Sequence, residues 1–318
     1  MICLIFFSVL NLSHEREVSM IRTQKLNEGE IIPLTFDYMF TEIFNDEDNI
    51  CILEEFISFY LDIPLNEVRG NLKLLSRKLK KESKIESKKE VDLLLNLNGE
   101  KINIELNNRF NKDIMDRNVV YIGKVHGTQI KRGFKTYKKI KRTIQINLDN
   151  TNYSEELIEK YYLQNDRGEV LTEKLRIDII NLVKGKKMSY TNDERKDNLI
   201  SWCKILTSET EEELKKTLKD VMSNQSQTKL LEQVNKLSGD DEMVELYTDL
   251  SRREIEYNTL LEDALEKREI EYNTLLEDAL EQQEKLNQEE KIEIAKKLLA
   301  KGMSEHEVKE IIELDNLN

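Results

Sequence analysis

The chain has 318 residues, with 62 Asp and Glu against 49 Lys and Arg for a formal charge of −13, 39% apolar and 35% charged residues, and only 10 Gly and 2 Pro. That length supports two to three domains and a full hydrophobic core, while so little Gly and Pro excludes collagen-like, low-complexity and turn-rich all-β chains. The charge is unevenly placed: residues 240–318 hold 24 acids and 10 bases, leaving 38 acids and 39 bases in residues 1–239, a body that can still face a polyanion.

The opening MICLIFFSVLNL has no basic lead-in and no small-residue cleavage site, and it is too short to span a bilayer. Residues 1–19 therefore read as a start placed too early or a disordered leader, with Met20 as the beginning. Cys3, Cys51 and Cys203 are odd in number and far apart, and His14, His126 and His306 are equally scattered. This fits a reducing, cytoplasmic setting and gives no zinc-ligand spacing. No window reads as a membrane span, so no membrane partner is expected.

From Asp37 the apolar residues Phe40, Ile43, Phe44, then Ile52, Leu53, Phe56, Ile57, Tyr60 and Leu61 recur at helical steps. Pro64 ends the second helix, and Asn45–Asn49 lacks the Gly and Glu of a calcium loop, so it reads as a helix connection. Residues 66–90 are basic and mixed. The period then changes to two, with Val91, Leu93, Leu95 and Leu97, Asn98-Gly99, and Ile102, Ile104 and Leu106, the pattern of a tight β-hairpin.

A two-residue Asn98-Gly99 loop pairs Leu97 with Glu100 and fixes the rest of the register. Val91 is expected opposite Leu106, Leu93 opposite Ile104 and Leu95 opposite Ile102, making one face uniformly apolar. On the other face Asp92 is expected opposite Glu105 and Glu90 opposite Asn107, with Asn96, Lys101 and Asn103 beside them. Two carboxylates directly across a strand pair repel. A hard divalent cation held by carboxylate oxygens and water would relieve this. On pattern alone the plainer reading is a solvated sheet face, with Lys101 and Arg109 neutralising the acids.

Residues 113–132 read as a helix and Thr143–Leu148 as a strand. Between Gly123 and Leu148 there is no acid, yet Lys124, Lys131, Arg132, Lys135, Lys138, Lys139, Lys141 and Arg142 are present, interleaved with Phe134 and Tyr137. A basic segment near a diacid hairpin is the electrostatic layout of a nucleic-acid site. Residues 153–240 give a strand near Lys174–Leu182 and helices around Trp202 and Leu214, with Trp202 read as core. Helices, hairpin, helix and strand in this order make an α/β layer with a small mixed sheet.

The tail repeats itself: Arg253–Glu266 (REIEYNTLLEDALE) recurs unchanged at Arg268–Glu281, offset by 15 residues. At helical pitch that offset turns the apolar stripe by about 60°, so the stripe drifts but persists. A long charged helix over 241–290 is expected, a coiled-coil candidate through which the chain would homo-oligomerise.

Several of these stretches together resemble a known family. Asp37–Phe44 (DYMFTEIF), Asp92 with Glu105-Leu106-Asn107, Arg117 with Tyr121, Gly133 with Tyr137, and Ile144-Gln145-Ile146 resemble the Rpn family of recombination-promoting nucleases, the PD-(D/E)XK nuclease family transposases. Ile294–Leu314 resembles that family's closing helical hairpin. The resemblance implies a restriction-endonuclease-like α/β core over residues 20–240: a small mixed sheet flanked by helices, then a helical extension over 241–290 and a hairpin over 291–318. It implies DNA cleavage with Mg²⁺ or Mn²⁺, linked to recombination or mobile elements, with Asp92 and Glu105 as metal ligands. Where the superfamily places Lys, and similar family members Gln, this chain has Asn107, which would orient water but carries no charge. Lys101 is a candidate for the missing charge. Glu90, as a further metal contact, and Arg117 with Tyr121, for phosphate binding or packing, form a second tier. Lys131, Arg132, Lys135, Lys138, Lys139, Lys141 and Arg142 are the DNA-binding candidates. The rival reading is a weakened nuclease fold kept as a DNA- or protein-binding module.

Overall fold

The computed structural model describes residues 26–78, 90–109, 112–130, 136–151 and 154–312. The first helices form where the apolar spacing places them, α1 at Asp37–Phe44 and α2 at Ile50–Leu61. A 3-10 turn, Glu47–Asn49, joins them, with the Asp46 carboxylate accepting the Asp48 amide. Helix α2 stops at Asp62 in the left-handed region, and Pro64 precedes the single turn α3, Leu65–Val68.

Six strands then build one mixed sheet. They are β1 (Leu72–Leu74), β2 (Leu93–Leu97), β3 (Glu100–Asn107), β4 (Thr143–Asp149), β5 (Ile158–Gln164) and β6 (Val170–Asn181), in the order β1-β2-β3-β4-β6-β5. The pairs β3/β4 and β4/β6 are parallel and the others antiparallel. Asn98 and Gly99 both take positive φ, 51° and 92°, as a primed two-residue turn requires. That turn sets Leu97 opposite Glu100 and Leu93 opposite Ile104, the register expected from the alternation.

Three strands depart from expectation. β1 falls in the stretch read as basic and mixed; a three-residue edge strand with Lys73 at its centre carries almost no period. β5 was not anticipated, because most of this outer strand is exposed and its sequence IEKYYLQ has no apolar face to alternate. β6 begins at Val170, four residues before the expected Lys174, as its first half is also exposed.

One sheet face carries Leu93, Leu95, Leu97, Ile102, Ile104, Ile144, Ile146, Leu148 and Ile180 into the main core. α1 and α2 pack on it, together with α6 (Glu194–Thr207), α7 (Glu211–Val221) and α8 (Asn224–Ser238). Trp202 of α6 is buried edge-on against Phe56, ring centroids 5.0 Å apart, which fixes α6 over α2. A short helix α5, Leu182–Lys187, follows β6 directly.

The chain divides into two compact units after Thr248. Helix α9 runs unbroken from Asp241 to Ala300, 60 residues spanning both copies of the repeat. Its first turns belong to the sheet-bearing unit, where Val244 is buried and Tyr247 packs on Phe36. In the second unit the chain turns at Gly302 (φ 91°) into α10, Glu305–Ile312. Ser304 and Glu307 cap that helix reciprocally, and Ala295, Val308 and Ile312 close a small core. Among the described residues, no helix is long and apolar enough to cross a membrane.

Candidate active site

The other face of the sheet is where polar residues gather. Strands β3 and β4 lie parallel with Asn103 beside Gln145, Glu105 beside Asn147 and Asn107 beside Asp149. All six are buried, Glu105 at 3% and Gln145 at 0% exposure. Their cover is α4, Ile114–Gly127, a shorter helix than the 113–132 expected, whose buried positions Ile114, Asn118, Ile122 and Val125 recur at helical spacing. The solvated face read from the hairpin alone is therefore corrected: this is a buried polar layer between sheet and helix. A second correction concerns Val91. It packs with Leu94 and Val125 on the α4 side rather than facing Leu106, because the ladder ends at Leu93 and the chain bends at Asp92.

Asp92 sits at that bend. Its Oδ2 accepts the Leu106 amide at 2.9 Å, and its carbonyl accepts the Asn45 side chain at 3.1 Å. Glu105 accepts the Asn103 amide group at 2.8 Å. Burial pushes the Glu105 carboxyl up to about 8, and the negative charge of Asp92 pushes in the same direction. Asp92 is itself raised, by burial first and further by Asp37, with the Leu106 amide opposing. Two carboxyls that burial and mutual repulsion both disfavour as anions form a site short of positive charge.

Arg117, from α4, supplies part of it. Its charge lowers both carboxyls, its Nη2 donates to Asn107 Oδ1, and its guanidinium lies 6.0 Å from the centre of the Tyr121 ring. Burial and the charge of Glu105 raise the Tyr121 hydroxyl in turn. Among the described residues no group of three His, Cys, Asp or Glu side chains converges as a closed metal cage. Two carboxylates near enough for the charge of one to raise the other still fit Mg²⁺ or Mn²⁺, which ordinarily takes one or two carboxylates and completes its shell with water and substrate phosphate. Asp92 and Glu105 are the residues that would hold it.

The model for PD-(D/E)XK nuclease family transposases matches residues 34–264, the whole sheet and its helices. The chain belongs to that family. No curated protein and no solved structure matches it. As a member of a PD-(D/E)XK nuclease family, it carries the expected restriction-endonuclease-like α/β core, with a six-stranded mixed sheet, flanking helices and a long C-terminal helix.

Within this family member the anticipated residues divide by position. Asp92, Glu105, Asn107, Arg117 and Tyr121 come together. Glu90 does not join them: it is exposed and bridges Lys78 instead of facing Asn107. Lys101 lies four residues before Glu105 along an extended strand, roughly 13 Å away, beside Asn96 and Thr143. The cation that acts on both acids is thus Arg117, with Arg77, held on the Val91 carbonyl, acting on Asp92 as well.

Lys131, Arg132 and Lys135 lie outside the described residues. Lys138 and Lys139 are exposed on a 3-10 turn, and Lys141 is exposed next to the Asn98-Gly99 turn. Arg142 is committed to Glu100 at 2.8 Å. The Gln129 side chain holds the Lys141 backbone from both sides, at 2.9 and 3.0 Å. β4 starts level with Lys101, and Lys141, two residues earlier and packed against Gly99, stands about six residues, ~20 Å, from Glu105.

Other polar neighbours escaped sequence reasoning. Asp37 bears on Asp92 and accepts from Asn108 at 2.7 Å. Gln145 donates to Asn118 at 2.8 Å and to Asn147 at 3.2 Å. A signal for this layer existed: Thr143-Ile-Gln-Ile-Asn-Leu-Asp149 alternates polar and aliphatic. In a central parallel strand, normally apolar on both faces, such polar residues are buried.

Proposed function

We propose that this family member is a divalent-metal-dependent DNA endonuclease acting at Asp92 and Glu105. The observation that carries this reading is the pairing of the buried Glu105 near the end of β3 with the half-buried Asp92 just before β2, whose charge raises the Glu105 carboxyl, with the Arg117 guanidinium acting on both. When bound there, Mg²⁺ or Mn²⁺ would lower the pKa of a water and offset charge on the scissile phosphate. The residues of the chain supply the rest. Asp92 and Glu105 present oxygen ligands, the Leu106 amide and Asn103 fix the direction of those carboxylates, and Asn107 contributes hydrogen bonding without charge.

DNA would reach this site along the exposed bases of the 138–141 segment. An offset of ~20 Å corresponds to roughly six steps of 3.4 Å along one strand, so the same duplex could touch both. The family ties the chain to nucleases of mobile elements, and recombination linked to such elements is the biological setting this reading favours. The free thiols Cys51 and Cys203 support a cytoplasmic one. Incubation of supercoiled plasmid with purified protein and Mg²⁺ or Mn²⁺ tests the proposal: nicked or linear product is expected, and none from Asp92→Ala or Glu105→Ala. Intact plasmid alongside an active control nuclease overturns it.

A second reading is favoured by Asn107, which leaves the third position of the site uncharged: a nuclease fold kept for binding. It predicts DNA binding that is indifferent to Mg²⁺ and to Asp92→Ala. The exposed apolar stripe of α9, including Leu260, Leu265, Leu275 and Leu280, supports self-association through the repeat, to be measured by sedimentation of the full chain.

A further inference from the structure

Asn107 makes a hydrogen bond that fixes which way its amide points. Its partner is Arg117 Nη2, and a guanidinium offers donors only. The amide atom facing Arg117 must therefore be the acceptor Oδ1, which settles the otherwise ambiguous placement of oxygen and nitrogen. The Nδ2 group, with two N–H donors, is left on the other arm of the amide. It is buried and has no partner among the described residues, and Asn107 as a whole is 4% exposed. A buried amide donor without an acceptor costs free energy that a functional partner would recover. The Nε of Arg117 is also buried and unpaired.

The position of this donor is specific. Asn107 is two residues beyond Glu105 on the same face of β3, and Arg117 influences the charge of both Glu105 and Asp92. The donor therefore belongs to the same cluster as the two acids. Oδ1 is engaged by the Arg117 cation, and an amide oxygen is in any case too weak a base to take a proton from water. What it offers is an N–H, suited to an anionic oxygen.

We propose that Arg117 is a positioning residue that locks the Asn107 amide with its NH₂ group presented as a hydrogen-bond donor to a non-bridging oxygen of a DNA phosphodiester. Asn107 in this arrangement binds the phosphate and does not activate water. The proposal rests on the nuclease reading above and names the contact at that site. It also explains how the third position works without a charge of its own: the charge comes from α4, and the amide relays a directed donor from a cation it cannot itself replace. Asn107→Asp would reverse this, since a carboxylate could still accept from Arg117 but would turn an oxygen toward the phosphate.

The test is equilibrium binding of a fluorescent DNA duplex in Ca²⁺ at fixed salt. Wild type is compared with Asn107→Ala, Asn107→Asp, Arg117→Met, Arg117→Lys and the Asn107→Ala/Arg117→Met double variant, with thermal midpoints measured alongside. Removing one hydrogen bond to a charged group is expected to weaken binding about tenfold in Asn107→Ala, and Arg117→Met should do the same. The double variant should be no weaker than the worse single, because the two act as one unit. Asn107→Asp should bind weakest, and Arg117→Lys, also a pure donor, should recover part of the loss. Asn107→Ala or Asn107→Asp with wild-type affinity and unchanged midpoint overturns the proposal, as does a double variant that loses the product of the single effects. Wild type that binds equally well in Ca²⁺ and EDTA overturns the nuclease reading instead, and the proposal with it.

Discussion

Asp92 Oδ2 receives the Leu106 amide proton at 2.9 Å, so the strand that carries Glu105 also anchors the carboxylate opposing it. One oxygen of Asp92 is thereby held within the hairpin and the orientation of the other follows. The acids are brought together by backbone geometry and kept together against their own repulsion.

Replacing that carboxylate by its amide isostere separates charge from geometry. Asp92→Asn retains an oxygen for the Leu106 amide yet removes the repulsion on Glu105. In EDTA the variant should be more stable than wild type, by about 1 kcal/mol, a gain of roughly 2–4 °C in Tm for a unit this size. Cleavage and Mg²⁺-linked stabilisation should both vanish. A lower Tm in EDTA would show that the Asp92 charge stabilises the metal-free fold.

The pH dependence of the metal-free protein follows from Glu105. Its carboxyl titrates near 8 when folded and near 4.3 when unfolded. Between these values the native state holds a proton that the unfolded chain has released, so stability falls as pH rises. Urea unfolding in EDTA should give a lower midpoint at pH 8.5 than at pH 5.5, with a difference on the order of a few kcal/mol. Glu105→Gln should flatten the profile, and an unchanged slope in that variant would place the titrating group elsewhere.

Gly185 of α5 faces Cys203 of α6 with no room for a methyl group: a Cβ there would lie 2.5 Å from both Cβ and Sγ of Cys203. In an exposed helix Gly→Ala gains about 1 kcal/mol. Here overpacking should win, and Gly185→Ala should lose about 1–3 kcal/mol in denaturant unfolding. A stabilised variant would refute the close approach of the two helices.

The same packing shields the thiol. Burial pushes the Cys203 pKa up to about 12, whereas Cys51 is half-buried. At pH 8 a thiol reagent should modify Cys51 at least tenfold faster than Cys203 in folded protein, measured by mass spectrometry of peptides. Equal rates would mean that α6 opens readily.

The acidic tail is separable at Thr248 rather than at residue 240, since Val244 and Tyr247 belong to the first unit's core. Residues 249–318 carry 20 acids and 10 bases, against 42 and 39 in residues 1–248. Truncation after Thr248 should leave the first unit folded and tighten DNA binding at low salt, the gain fading as salt screens the tail's charge. Unchanged affinity at 50 mM salt would exclude an electrostatic role for the tail.

Much of the fold was readable because its signals are local. The Asn98-Gly99 turn and the period of two around it fix the register from Leu97 opposite Glu100 to Leu93 opposite Ile104; Asp92 lies just past the end of that ladder, at a bend the alternation does not show. The 3.6-residue spacing marks α1 and α2, and the 15-residue repeat marks α9. Where the local signal is weak, as in the exposed strand β5 and the three-residue β1, the pattern gave nothing to read.

The sequence by itself determined which residues alternate and which charges accumulate where, down to the division of −13 into a near-neutral body and an acidic tail. Only the tertiary structure decided that α4 covers the polar face, burying Glu105, Asn107 and Gln145 instead of leaving them in water. It also turned Val91 to that side and brought Arg117 to Asn107. The reason is physical: period and turn chemistry act over a few residues, whereas docking a helix on a sheet is settled by all the surfaces it buries at once.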